Sequence, residues 1–172
     1  MRDILEEERK YLVNNVQKQA CWDKEHIVYQ WYEECRADKS VKLKLIFDLL
    51  MARCVLVRVT KKTIGMGIAE KNIQYLDVSE FNGRNMLGTP FVLKRRAISG
   101  TVFLDKFLAA NGRCEYLLEV EGEGKDKLMQ AKEFEILREV TDDVAYYNQN
   151  MCVPFEEEDL QQLTFLLQTF LW

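Results

Sequence analysis

Apolar side chains recur at helical spacing in the first part of the chain. Between Arg2 and Ala20 they stand seven, four and four residues apart, and this spacing predicts a first helix with one narrow apolar stripe. Asp23 suits the N-cap of a second helix that ends near Cys35. The apolar positions of the first helix are Leu5, Leu12, Val16 and Ala20, and those of the second are Ile27, Val28, Trp31, Tyr32 and Cys35.

A third helix is predicted from Ser40 to Met51. Ser40 suits its N-cap, and the segment is apolar on nearly every side. Val41, Leu43 and Leu45 also alternate with polar residues, as they would in a strand. We interpret the segment as a central buried helix, with the strand as the alternative.

From Cys54 onwards the pattern changes to a period of two. Cys54 to Ala69 is rich in β-branched residues and predicts a strand pair or one bulged strand. Further strands are predicted at 72–81, at 90–107 with a break at Ser99 and Gly100, and at Arg113–Glu121. Residues 128–140 fit a strand or a helix, and we favour the strand.

These elements predict an α+β fold. It has N-terminal helices, a central antiparallel curved sheet or small β-barrel of five to six strands, and a C-terminal amphipathic helix from Glu156 to Trp172 that Pro154 introduces. The expected divisions are a helical segment over 1–52, a β domain over 53–140, and a connector with the last helix over 141–172. The 172 residues are expected to form one compact unit.

Cysteine usage and hydropathy bear on location. The five cysteines are odd in number and widely spaced among apolar neighbours, which favours reduced thiols over a disulfide framework. The N-terminus is charged from Arg2, and the apolar run from Leu45 to Ala52 is far shorter than the roughly 20 residues that span a bilayer. The sequence predicts an intracellular protein, cytoplasmic or nuclear, with no membrane contact.

The charge is distributed unevenly around a net value of −4. Residues 51–100 carry nine cations against three anions, whereas residues 101–172 carry six cations against fifteen anions. The run Lys94, Arg95 and Arg96 places cations on both faces of a predicted strand, so one face there cannot be fully buried. The strand is expected either to project past the core as an arm or to be an edge whose charges meet an acidic partner. The candidate site for nucleic acid or an acidic partner comprises Arg53, Arg58, Lys61, Lys62, Lys94, Arg95 and Arg96.

No catalytic residue, cofactor or metal is predicted. His26 is the only histidine, so histidine-rich metal sites are excluded. The segment Gly122–Lys127, GEGKDK, lacks the first glycine and the Ser or Thr of a phosphate-binding loop. Glu119, Glu121 and Glu123 share one strand face, which we interpret as a solvated acidic edge in preference to a cation site.

The last helix predicts a protein interface. Its broad apolar stripe covers the sheet, while Phe165 and Trp172 lie on a second ridge. The stripe consists of Leu160, Leu163, Leu166, Leu167, Phe170 and Leu171. The candidate protein-interface residues are Leu5, Leu12, Val16, Phe165 and Trp172.

Charge and unpaired apolar surface together favour a non-enzymatic subunit or adaptor of a multi-protein complex. It would bind a protein partner, in a hetero-complex or a homodimer, through its helical ends and a basic sheet surface. The alternative is a small barrel that binds single-stranded DNA or RNA. An enzyme ranks third, because no convergent catalytic set is visible.

Overall fold

The computed structural model describes residues 3–16, 22–65, 68–112, 114–122 and 134–171. Short 3₁₀ segments lie in the connections of the described ranges, at Val78–Glu80, Gly83–Met86, Val144–Tyr146 and Asn148–Met151. The strands are β1 (Asp3–Val16), β2 (Lys24–Cys35), β3 (Lys39–Asp48), β4 (Arg53–Gly65), β5 (Ile68–Leu76), β6 (Pro90–Ser99), β7 (Val102–Ala109), β8 (Tyr116–Glu121), β9 (Phe134–Glu139) and β10 (Val153–Pro154). The helix α1 spans Glu157–Leu171.

All strands of the described chain pair antiparallel in one sheet of ten strands. The order is β10, β6, β2, β3, β4, β5, β1, β8 and β7, with β9 beside β1. β7 also pairs with β6 through a hairpin whose turn contains Gly100 at a φ of 57°, a value that glycine adopts without strain. Eight strands therefore form a closed cycle of pairing, which we call the ring. Its order is β6, β2, β3, β4, β5, β1, β8 and β7, and β7 pairs with β6 to close it.

The outer face of the ring carries the largest apolar core. Tyr29 and Trp31 of β2 pack there with Phe91 of β6, and α1 covers them with Leu160 and Leu163. Successive side chains of a strand point to opposite faces. The intervening residues of the same strands therefore face the inside of the ring, where many of them are charged.

The predicted N-terminal helices are wrong. The segments that we expected as helices one, two and three form β1, β2 and β3. The predicted fold class is wrong as well, because the sheet has ten strands in place of five to six. The physical reason is that the ring interior is polar. Lys42 and Lys44 therefore alternate with Leu43 and Leu45 in a fully enclosed strand, a pattern that we interpreted as a helix.

Two other expectations are confirmed. The final helix is present as α1, and residues 134–139 of the ambiguous segment form the strand β9. Residues 128–133 lie outside the described part of the chain. Within the described ranges, no helix has the length and apolar character required to cross a membrane.

We predict that Leu163→Ala destabilises the fold. Leu163 is fully buried between α1 and the sheet, so its truncation leaves a cavity and should lower the free energy of unfolding by about 2–5 kcal/mol. Urea unfolding followed by circular dichroism measures the loss. Leu171→Ala on the same helix is the control, since Leu171 is 49% exposed and should change stability by less than about 0.5 kcal/mol. Equal effects of the two changes would contradict the packing described here.

Candidate anion site inside the ring

A charged cavity of about 150 Å³ lies inside the ring. Its described lining includes nine cationic side chains and three carboxylates, so cations predominate. Strands from every side contribute, because each presents alternate residues inwards. The cations are Lys10, Arg36, Lys39, Lys42, Lys44, Lys61, Lys71, Lys94 and Arg96, and the carboxylates are Glu8, Glu119 and Glu121.

A buried ion network ties three neighbouring strands together. Lys94 Nζ of β6 lies 2.5 Å from Asp105 Oδ2 of β7, and Arg96 Nε lies 2.6 Å from Asp105 Oδ1. Arg96 Nη2 also donates to Glu119 of β8. The side chain of Asp105 is fully buried and that of Lys94 is 1% exposed. Charges so far from water persist only when they are paired in good geometry, as they are here.

The network shifts the protonation equilibria of its members. Burial lowers the pKa of Lys94, and the nearby Arg96 lowers it further, although Asp105 opposes both effects. The pKa of Glu119 lies well below its usual value despite burial, because Arg96, Lys94 and Lys10 surround the carboxylate. Asp105 and Glu119 raise the pKa of Arg96 against the effect of its burial. Glu119 and Arg96 are therefore charged at neutral pH.

A second group of ion pairs lies on β1, β4, β5 and β8. Glu8 Oε1 lies 3.2 Å from Lys10 Nζ and 3.0 Å from Lys61 Nζ. Lys71 Nζ lies 3.9 Å from Glu121 Oε1. Lys10 also approaches Glu119 Oε1 at 3.8 Å, which links this group to the buried network. The inner charges therefore form one continuous electrostatic system.

Lys44 differs from the other inner cations. Among the described residues, none forms a hydrogen bond or ion pair with its ammonium group. The half-buried position of Lys44 inside the ring lowers its pKa well below 10.5, and Lys42, Arg96, Lys94 and Lys71 lower it further by repulsion. An anion in the cavity would relieve both effects. The surroundings of Lys44 therefore make the cavity a candidate anion site.

Metal binding in the cavity would involve its carboxylates. No group of three or more His, Cys, Asp or Glu side chains suited to a metal occurs in the part of the chain that the structure describes. Glu8 and Glu121 are directly paired across β1 and β8, so their side chains leave the same face of the sheet. Mg²⁺ commonly binds to one or two carboxylates together with substrate phosphates. This pair of carboxylates fits that kind of shared site.

Three of the seven cations that the sequence predicted as a site meet in the cavity. Lys61, Lys94 and Arg96 all line it, although they come from different strands. Their ion-pair partners are carboxylates of this chain. The lining also includes Lys10, Lys42, Lys44 and Lys71, so its cations outnumber its carboxylates and the interior is net positive.

The other four predicted cations lie elsewhere. Arg95 faces outwards and pairs with Glu25 at 2.6 Å, and Arg58 pairs with Glu33 at 2.8 Å. Arg53, at the start of β4, pairs with Asp48 at 3.5 Å, and Lys62 is exposed. The seven cations therefore do not converge on one exposed basic surface.

The predicted protein-interface residues are also separated. Phe165 is 69% exposed on α1, whereas Leu12 is half-buried and packs against the inner apolar cluster beside the charged cavity. Leu5 and Val16 belong to β1, and their side chains, like residue 172, lie outside the described part of the structure. The expected protein partner stays a prediction that rests on Phe165.

Glu119 is 4% exposed inside the ring, so the predicted solvated acidic edge is wrong for this residue. Glu123 and residue 126 lie outside the described ranges. His26 lies at one end of β2 with its Nε2 3.7 Å from Asp48 Oδ2, where burial lowers its pKa more than Asp48 raises it.

Sequence reasoning missed most of the inner residues. Glu8 and Lys10 are two apart on β1, and Lys42 and Lys44 are two apart on β3. Charged residues at every second position of a segment that is apolar at the others are the signal that was present. It indicates a strand with one polar enclosed face, and we assigned these segments to helices.

Comparison with known proteins supports the fold. No family model and no curated protein matches the chain. The solved structure of the hypothetical protein NE1496 is 20% identical, with a TM-score of 0.50, and covers 87% of this chain and 96% of that one. A structure of the inorganic triphosphatase NE1496 is 23% identical, with a TM-score of 0.48, and the match covers 87% of this chain and 93% of that one. The structure of the PH1819 protein from Pyrococcus horikoshii OT3 is 18% identical, with a TM-score of 0.49, and the match covers 73% of this chain and 83% of that one.

These neighbours correct the functional prediction. We expected a non-enzymatic adaptor, with a nucleic-acid-binding barrel as the alternative and an enzyme ranked third. The expectation is contradicted by the likeness to NE1496, whose name is that of an enzyme. Identity of this degree shows a shared fold and leaves the activity of this chain to be argued from its own residues.

We predict that Asp105→Asn strongly destabilises the protein. The change leaves Lys94 and Arg96 inside the ring without their shared carboxylate, which should lower the free energy of unfolding by about 3–5 kcal/mol. Urea unfolding at pH 7 measures it. Glu25→Gln removes the partner of the exposed Arg95 on the same strand β6 and should cost less than about 1 kcal/mol. A small loss in Asp105→Asn would show that the network does not support the ring.

We predict that Lys44→Met stabilises the ligand-free protein at pH 7, by on the order of 1 kcal/mol, because it removes an unpaired cation. The unfolded chain keeps the Lys44 proton to higher pH than the folded protein does. The free energy of unfolding of the wild type should therefore rise with pH between the lowered pKa and 10.5. Urea unfolding of both proteins across this range tests the sign, and a wild-type protein that is more stable than Lys44→Met at pH 7 would refute it.

Proposed function

We propose that this protein is an enzyme that hydrolyses a linear triphosphate inside the ring. The observation that carries the proposal is the unpartnered Lys44 in an enclosed cavity where cations outnumber carboxylates. A chain of phosphates carries several negative charges close together, and it matches a row of inward-facing ammonium and guanidinium groups. Lys10 and Lys94 are buried in the cavity lining, and burial strengthens such attractions.

The inner cations also suit the chemistry of hydrolysis. Water attacks the terminal phosphorus, and the bond from that phosphorus to the bridging oxygen breaks. Diphosphate leaves with the additional negative charge, and the attacking water releases one proton to the solvent. Positively charged groups that are already in place stabilise the charge that develops on the phosphoryl and leaving oxygens. Arg96 and Lys94 are held rigidly by Asp105, so they need little reorganisation during the reaction.

Glu8 and Glu121 would hold Mg²⁺ together with the substrate phosphates. When bound, the ion would neutralise part of the phosphate charge. Lys61 and Lys71, which pair with these carboxylates, would then be available to the phosphate oxygens.

The fold provides secondary support for the proposal. The structure with a TM-score of 0.50 is that of NE1496, which another solved structure names as an inorganic triphosphatase. The proposal also includes an intracellular location. Cys35, Cys54, Cys114 and Cys152 are all free thiols, as a reducing compartment would keep them.

We predict that the purified protein releases phosphate from inorganic tripolyphosphate in the presence of Mg²⁺, and that excess EDTA abolishes the release. Lys44→Met should lower kcat/KM on the order of 10², because the cation that we place on the substrate is lost. A colorimetric phosphate assay measures both effects.

Lys62→Met is the matched control. Lys62 is an exposed lysine of β4 outside the cavity, so its replacement should leave kcat/KM unchanged. The proposal fails if the wild type releases no phosphate, or if Lys62→Met and Lys44→Met lose activity equally.

A further inference from the structure

The inner face of β2 carries two neutral polar side chains among the cations. Gln30 and Tyr32 both line the cavity, and Gln30 is fully buried. Gln30 lies directly opposite Lys44 across β2 and β3, and Tyr32 lies directly opposite Lys42. Cross-strand neighbours of this kind are about 4.5–5.5 Å apart at Cβ, so the side chains of Gln30 and Lys44 are neighbours on the inner face.

The Gln30 amide leaves one of its atoms without a partner. Its Nε2 donates to Tyr32 Oη at 2.5 Å, whereas its Oε1 is buried and has no hydrogen-bond partner among the described residues. An unsatisfied buried acceptor costs about 1–3 kcal/mol. In this orientation the hydroxyl hydrogen of Tyr32 is also not used by Gln30.

Rotation of the amide by half a turn resolves both deficits. Tyr32 then donates its O–H to Gln30 Oε1, and Gln30 Nε2, with its two N–H groups, takes the place that Oε1 had in the cavity lining. Burial raises the pKa of Tyr32 well above its usual value, so the hydroxyl keeps its hydrogen at neutral pH. The rotated pair supplies donors without adding charge beside Lys44.

We propose that Gln30 binds a phosphate oxygen of the anion held at Lys44, and that Tyr32 positions the Gln30 amide for this contact. The inference rests on the proposed function, since it requires a phosphate chain in the cavity. It assigns a binding role to two residues of β2 that carry no charge. Gln30 acts on the ligand, and Tyr32 acts only through Gln30.

The test is isothermal titration calorimetry of inorganic tripolyphosphate into the full chain in the presence of excess EDTA, so that binding is measured without turnover. Gln30→Leu should weaken binding about tenfold, because a donor to a charged oxygen is lost. Tyr32→Phe removes a single oxygen atom and should weaken binding about threefold to tenfold. In the double variant, Tyr32→Phe should add nothing to the effect of Gln30→Leu.

Gln74→Leu and Tyr75→Phe are the controls, since both residues are exposed on β5 outside the cavity lining and should leave affinity unchanged. An NMR titration of the wild type supplies a second measurement, whose result would not change if Gln30 had only a structural role. The side-chain amide signals of Gln30 should shift on addition of tripolyphosphate and should not shift on addition of equal ionic strength as chloride. Should Gln30→Leu fail to fold, Tyr32→Phe and this titration still decide the outcome.

The possible failures are distinguishable. If the wild type neither binds tripolyphosphate in EDTA nor releases phosphate with Mg²⁺, the proposed function and this inference both fall. If it releases phosphate with Mg²⁺ but binds no tripolyphosphate in EDTA, the function stands and the inference is overturned. If the wild type binds, Lys44→Met abolishes binding and the Gln30 and Tyr32 variants bind like the wild type, the function stands and the inference is overturned. Additive effects in the double variant would overturn the positioning role of Tyr32.

Discussion

The structure depends on one constraint, which is that charges enclosed by the ring must be matched by other enclosed charges. Asp105 is fully buried and accepts from both Lys94 and Arg96, while Arg96 also reaches Glu119. These residues belong to β6, β7 and β8. Their ion pairs form only when β7 hydrogen-bonds to β6 in the register that sets Arg96 opposite Asp105. Closure of the ring and neutralisation of its buried charges are therefore the same event.

A polar interior reverses the usual positions of apolar and polar residues in the sheet. Tyr29, Trp31 and Phe91 point outwards, and the fold covers them with α1 and with Phe155. Because charges occupy the inner face of the ring, the large apolar side chains lie on the outer face, and α1 is needed to cover them. Lys44 is the exception to the internal matching, and it reduces stability at a place where an anion would restore it. Sites that bind ligands often retain such a locally unfavourable group.

Whether the secondary structure of a segment could be predicted from the sequence depends on which surroundings its two faces have in the fold. The final helix was predicted because α1 has one face on the core and another in water, so its pattern is local. β6 was recognised as a strand with cations on both faces, and Arg95 on its outer face is indeed exposed. The expectation of a projecting arm or an edge strand was wrong, because β6 pairs with β2 on one side and with β7 on the other. β3 was misassigned because Leu43 and Leu45 face the apolar core while Lys42 and Lys44 face a cavity made by other strands. An enclosed polar face has no counterpart in the ordinary patterns for helices and half-buried strands.

The sequence by itself determined the spacing of charges along each segment, the basic middle of the chain and the amphipathic last helix, because these properties depend on residues that are near in sequence. Only the tertiary structure decided which cations meet. Lys94 and Arg95 are adjacent in the chain, yet one is buried against Asp105 and the other is exposed beside Glu25. Lys10 and Lys94, which are far apart in sequence, line the same cavity. The reason is that side chains alternate across a strand and that a closed ring brings distant strands face to face.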